Sequence, residues 1–154
     1  MNIEFENALS KAKKFCSYKE VCEQDILKKF LDWNIPKNIH SQILEKLFDE
    51  NFINNQRFAN CFAHDKLKFN NWGKIKIKYE LQLKKIPNEA IYNALDAIDR
   101  ELYIQIAKKL IISKIKTISL SDDKKTKQKK VLAYMYSKGF EVDIVKEVLN
   151  KIDL

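Results

Sequence analysis

Lys74, Lys78 and Lys85 stand at i, i+4 and i+11 in a segment whose apolar residues carry a helical period. At about 100° per residue they fall within about 40° of one another on a helix. Such a stripe of ammonium groups suits phosphates or carboxylates. Lys66 and Lys68 lie just upstream, and residues 66–85 hold seven Lys against Glu80 alone. A second cluster comprises Lys124, Lys125, Lys127, Lys129 and Lys130, at a connection and helix start. Positive charge there opposes the helix dipole, which weighs against a purely structural role. Arg57 sits early in its helix beside apolar Phe58 and is also a candidate contact residue. Its simplest use is an ion pair to Asp49 or Glu50. Net charge is +8, and all of it comes from residues 61–154, because residues 1–60 carry nine basic and nine acidic side chains. That asymmetry points to an anionic partner on one side.

Catalytic patterns find no footing. The two His are His40 and His64. His64 and Asp65 adjoin in sequence, but neighbours on a helix point about 100° apart, unsuited to a relay. There is no Cys-x-x-Cys, no Gly-rich phosphate loop and no His-Glu-x-x-His. Cys16, Cys22 and Cys61 are odd in number and lack metal-ligand spacing, so reduced thiols are expected. The expectation is a non-enzyme with no cofactor and no metal.

The elements that must position these lysines come from a repeat. Ile35-Pro36-Lys37-Asn38-Ile39 matches Ile86-Pro87-Asn88-Glu89-Ala90 at an offset of 51, and Phe140-Glu141-Val142-Asp143-Ile144 follows at a further 54. The register holds on both sides: Ile26, Ile77 and Val131 align, as do Phe30, Leu81 and Met135. So do Ile43, Ala94 and Val148, and then Leu44, Leu95 and Leu149. Periods of this length mark stacked units, each too small to bury its own apolar face. Two Gly and two Pro are too few for the many turns of a sheet protein.

Helices are therefore expected at about 5–15, from a Ser17-Tyr18-Lys19-Glu20 capping box to Trp33, from Pro36 onward, and after an Asn54 or Asn55 cap. Others follow at 74–85, from Pro87, at 99–116, up to a Gly139 C-cap, and at 141–152. In the 74–85 helix, Trp72, Ile75, Tyr79, Leu83 and Ile86 form one apolar face, while Ile77 and Leu81 flank the lysines. A helix apolar on two sides is expected to be sandwiched with one edge open. Trp33, Trp72, Phe52 and Phe140 sit at turns, where aromatics plug seams between repeat helices.

Several of these residues resemble those of the RecX family, the bacterial regulators of RecA recombinase. Asp49-Glu50-Asn51-Phe52-Ile53-Asn54-Asn55-Gln56-Arg57-Phe58-Ala59, then Phe62, resembles the family's acidic turn followed by Arg-Phe-Ala. Trp72-Gly73-Lys74-Ile75-Lys76, Tyr79-Glu80-Leu81 and Lys85-Ile86-Pro87 resemble the segment after it, and Lys138-Gly139-Phe140 the last repeat's turn. Asn34, Lys85 and Asn51 stand where members often have Gly. Asn tolerates positive φ, whereas Lys85 suggests a different local turn.

The resemblance implies an all-α chain of three tandem three-helix repeats, elongated and curved, with units at 1–50, 51–98 and 99–154. It implies a non-enzymatic modulator that lodges in the groove of the RecA–DNA filament. There it restrains extension, ATP hydrolysis and strand exchange, in the setting of DNA repair and recombination. Direct binding of single- or double-stranded DNA through phosphates is a further implied capacity. The alternative is a stand-alone nucleic-acid-binding module with helix-turn-helix-like repeats. A cytoplasmic monomer is expected: Met1 to Glu6 shows no signal core and no apolar run is long enough to span a membrane.

Overall fold

The computed structural model describes residues 3–154; Met1 and Asn2, at the start of the segment read for a signal core, lie outside the described residues. Among the described residues there are nine α-helices and no strand. The first three are α1 (Ile3–Tyr18), α2 (Glu23–Asp32) and α3 (His40–Asp49). A second group is α4 (Asn55–Asn70), α5 (Lys74–Leu83) and α6 (Asn88–Asp96). The third is α7 (Arg100–Ile115), α8 (Lys124–Ser137) and α9 (Val142–Leu149). None is long and apolar enough to cross a membrane.

The repeat seen in the sequence is a repeat of one turn. Ile35, Ile86 and Phe140 donate their amides to the carbonyls of Phe30, Leu81 and Met135 at 2.9, 3.1 and 3.0 Å. The residues just before them, Asn34, Lys85 and Gly139, adopt φ of 56°, 60° and 91°. Each donates to a carbonyl three residues back, on Leu31, Gln82 and Tyr136. These paired bonds are Schellman motifs, closing the carbonyls a helix end leaves open. Lys85 thus makes the same turn as Asn34, not a different one, because the buried Ile86 that follows holds the chain there. All twelve residues of the aligned register are buried.

Helix starts follow local chemistry. Asn54, Asp99 and Asp123 accept the amides of Arg57, Leu102 and Thr126. Pro36 precedes a 3-10 turn, Lys37–Ile39, that leads into α3, and Pro87 stands immediately before α6. The expected capping box at Ser17 is not formed. α1 continues through Tyr18, and the Ser17 hydroxyl donates back to the Lys14 carbonyl at 2.6 Å. The box forms five residues later, where the Cys22 amide donates to the Asp25 carboxylate at 3.1 Å.

Three repeats make two cores. Ile26, Phe30, Ile43, Leu47 and Ile53 centre the first, within α1–α3 and the segment after them. The second and third repeats share the other, around Ile77, Leu81, Tyr103, Ile111, Val131, Met135 and Phe140. The solvent-accessible surface is 9792 Å². A globule of 18.2 kDa would expose about 8,100 Å², so the row is extended.

The only two glycines of the sequence meet where the second and third repeats join. Gly73 donates its amide to the Lys138 carbonyl at 2.8 Å, and Ile75 donates to the Gly139 carbonyl at 2.9 Å. A Cβ on Gly73 would lie 2.3 Å from the Gly139 oxygen, and one on Gly139 would lie 2.4 Å from the Lys76 Cβ. Gly139→Ala is expected to cost about 2–4 kcal/mol, from overpacking plus left-handed strain. Lys85→Gly removes only strain and is expected to stabilise by about 1 kcal/mol. Urea unfolding midpoints of the two variants, moving in opposite directions, are the check.

Candidate partner-binding face

The lysine stripe is built on α5, whose orientation is fixed at both ends. At its start, the Lys74 amide donates to the Tyr103 hydroxyl at 2.9 Å, and that hydroxyl in turn donates to the Glu141 carboxylate. Burial, then the Glu141 contact, pushes the Tyr103 phenol far above its usual range, so it keeps its proton as donor. At the other end, Lys84 Nζ reaches Asp25 Oδ1 on α2 at 3.3 Å. Between them, Ile77 and Leu81 are completely buried.

This departs from the expected sandwich. Ile77 and Leu81 are the core side of α5, while Ile75, Tyr79 and Leu83 are 45%, 57% and 53% exposed. The helix is not sandwiched: one apolar side is packed and the other meets water. Lys74 and Lys78 line the border between the two sides and are half-buried. Lys85 lies two residues beyond the end of α5, in the left-handed turn, so the helical projection does not apply to it.

The candidate cations on and just before α5 rest on rings rather than carboxylates. Lys74 Nζ is 5.1 Å from the Tyr103 ring centroid, and Lys78 Nζ is 5.1 Å from that of Tyr92. Lys66 and Lys76 approach Trp72 at 4.9 and 4.7 Å, and Lys68 lies 5.9 Å from Phe69. A ring supplies a quadrupole but no net charge, so the positive field survives. Lys124, Lys125 and Lys129 are exposed and Lys127 is half-buried. Lys130 pairs with Asp122. Among the described residues, Arg57 and Lys130 are the members of the candidate set in ion pairs.

Arg57 serves the scaffold, with a partner other than the expected one. Its Nε donates to Glu20 Oε2 at 2.7 Å, across the joint between the first two repeats, and not to Asp49 or Glu50. Its Nη2 donates to the carbonyls of Asn51 and Phe52 at 3.0 and 3.3 Å. The reach to Glu20 spans 37 positions, so no local reading of the sequence could find it. The turn aromatics divide: Phe140 is completely buried and stacks on Tyr103, whereas Trp33, Phe52 and Trp72 are half-buried beneath lysines.

His64 Nδ1 and Asp65 Oδ1 approach to 3.5 Å, closer than the helical projection suggests. Both side chains are largely exposed. The nearby Cys61 thiol is pushed up by burial and then by the Glu20 and Asp65 carboxylates, which disfavours a thiolate nucleophile. Among the described residues, no three His, Cys, Asp or Glu gather as a metal site would need.

Burial pushes the Asp25 carboxyl up, but the Cys22 amide and the Lys84 ammonium outweigh it and hold the group below the ordinary 3.8. A depressed carboxyl stabilises the folded state above its unfolded value and loses that contribution as pH falls through its folded one. Asp25→Asn is therefore expected to lose about 1 kcal/mol at pH 7, the half-exposed pair being screened. The difference from wild type should shrink below pH 3.8; unfolding midpoints against pH measure it.

The family description "RecX, second three-helix domain" matches residues 54–95. Regulatory protein RecX of Clostridioides difficile is 29% identical over 145 residues, 94% of this chain and 68% of that protein. The protein of the same name from Clostridium tetani is 30% identical, covering 92% and 65%. Against that of Clostridium botulinum the chain is 31% identical but spans about half the relative's length, 52%. Two solved structures share the fold at TM-score 0.85: a regulatory protein RecX, 23% identical, covering 96% of this chain and 73% of that one. The other, RecX from Lactobacillus salivarius, is 22% identical and covered to 96% on both sides.

Proposed function

The chain belongs to the RecX family, and from that premise we propose that it binds the RecA–DNA nucleoprotein filament and restrains it. The restraint falls on filament extension, ATP hydrolysis and strand exchange. It acts as a cytoplasmic monomer without catalysing a reaction, through three units at 1–50, 51–98 and 99–154. The observation that carries the reading is an extended helical row with uncompensated lysines on its second and third repeats. A filament offers the same acidic surfaces and phosphates at regular intervals. Several weak contacts to neighbouring protomers add through effective concentration. The basic positions that serve are Lys66, Lys68, Lys74, Lys78 and Lys85, with Lys124, Lys125, Lys127 and Lys129 on α8.

Contact with bare DNA on this reading is phosphate contact, weak and steeply salt-dependent. The test is an ATPase assay of the cognate RecA on single-stranded DNA with the protein titrated in. Lys74→Glu/Lys78→Glu/Lys85→Glu is expected to keep the helical spectrum and raise the half-inhibitory concentration about tenfold, as expected for several lost charge contacts. Inhibition identical to wild type would remove this stripe from the filament contact. No inhibition by the wild-type protein would remove the proposed function itself.

A further inference from the structure

The apolar row on the outer side of α5 has no partner in the fold. Ile75, Tyr79 and Leu83 recur at i, i+4 and i+8, which sets them along about 12 Å of helix. They are among the exposed large hydrophobics of the chain, as is Tyr92, 54% exposed, which lies under Lys78. The opposite side of the same helix, Ile77 and Leu81, already supplies the core contact. The outer row is therefore not needed to hold α5 in place.

Its surroundings define what covers it. Lys74 and Lys78 border the row on one flank and Lys76 on the other. None of the three is in an ion pair among the described residues. A complementary surface carries apolar side chains at the centre and carboxylates at the rim. Nucleic acid fits poorly: a base could stack on Tyr79 or Tyr92, but Ile75 and Leu83 present no ring face. A phosphate chain would leave both of them against water. A polypeptide segment with apolar residues one helical turn apart fills the row and answers the lysines at once.

We propose that the Ile75–Tyr79–Leu83 row, framed by Lys74, Lys76 and Lys78, docks an acidic amphipathic segment of the recombinase protein, and not its DNA. This rests on the filament reading and names the part of the filament that this helix touches. The three side chains anchor the contact and the lysines speed and orient it. The contact is one short module among several along the row.

The experiment compares wild type with Ile75→Ser/Tyr79→Ser/Leu83→Ser on three probes. These are RecA filaments on poly(dT), bare poly(dT), and the protein alone in sedimentation equilibrium. The variant is expected to lose tenfold or more in filament affinity while binding bare poly(dT) as wild type does. The fold should persist with a small drop in the unfolding midpoint, since about half of each side chain already faces water and Ser is only slightly poorer in a helix. Leu83→Glu, which puts a like charge before an acidic partner, is the second variant, expected to weaken filament binding severalfold. Full filament affinity in both variants overturns the inference and leaves the filament reading standing. Equal losses on bare poly(dT) reassign the row to nucleic acid and overturn it. A wild-type dimer that the substitutions split assigns the row to a second copy and overturns it too. Wild-type protein that ignores filaments overturns inference and reading together.

Discussion

Three consecutive amides at the start of α5 have no acceptor within their own helix, and all three end on the third repeat. Gly73 and Ile75 donate to the carbonyls of Lys138 and Gly139, and Lys74 donates to the Tyr103 hydroxyl. A buried amide left without its acceptor costs about 1–3 kcal/mol, so the third repeat completes the second. The approach is possible only because both backbones lack a Cβ where they touch. In a chain with two glycines, both are committed here. The rotation of α5 follows from this contact, and with it which residues are offered to a partner.

The joint between the first and second repeats is of another kind. It carries the Glu20–Arg57 and Asp25–Lys84 ion pairs, and Cys22 is the buried residue that α2's start contributes to the neighbouring core. The first repeat otherwise keeps its own core. Half-exposed ion pairs are screened and modest in strength, whereas shared apolar packing and backbone bonds resist separation. The row therefore consists of a two-repeat body with one shared core and a first repeat with its own, joined by two ion pairs and by Cys22, Phe52 and Ile53. Such a chain can follow a long partner surface without losing its fold.

The electrostatics of the candidate face arise from the excess of lysine over carboxylate in residues 66–85, where seven Lys stand against Glu80. Lysines without an ion-pair partner among the described residues settle over Trp72, Tyr92 and Tyr103. There they are oriented and partly desolvated, yet their charge is not neutralised. A surface of this kind attracts anions broadly and discriminates through the apolar groups between the cations.

The order of residues along the chain is enough to establish the helical class, the threefold register and the turns at Asn34 and Gly139, though not the left-handed turn at Lys85. Those depend on local chemistry: apolar period, Asn or Gly at left-handed positions, Asn and Asp at helix starts. It also locates the lysine-rich segments, since charge is a property of composition. It misplaces the capping box because Cys22 and Asp25 do not look like a helix start, while Ser17 and Glu20 do. The partner of Arg57, the burial of Ile77 in place of Ile75 and the contact of Gly73 with Gly139 come from packing between distant elements. A helix apolar on two sides has two candidate core faces of similar composition. Which one turns inward is settled by backbone bonds between distant positions, Gly73 to Lys138 and Ile75 to Gly139, and no periodicity within one helix encodes that meeting.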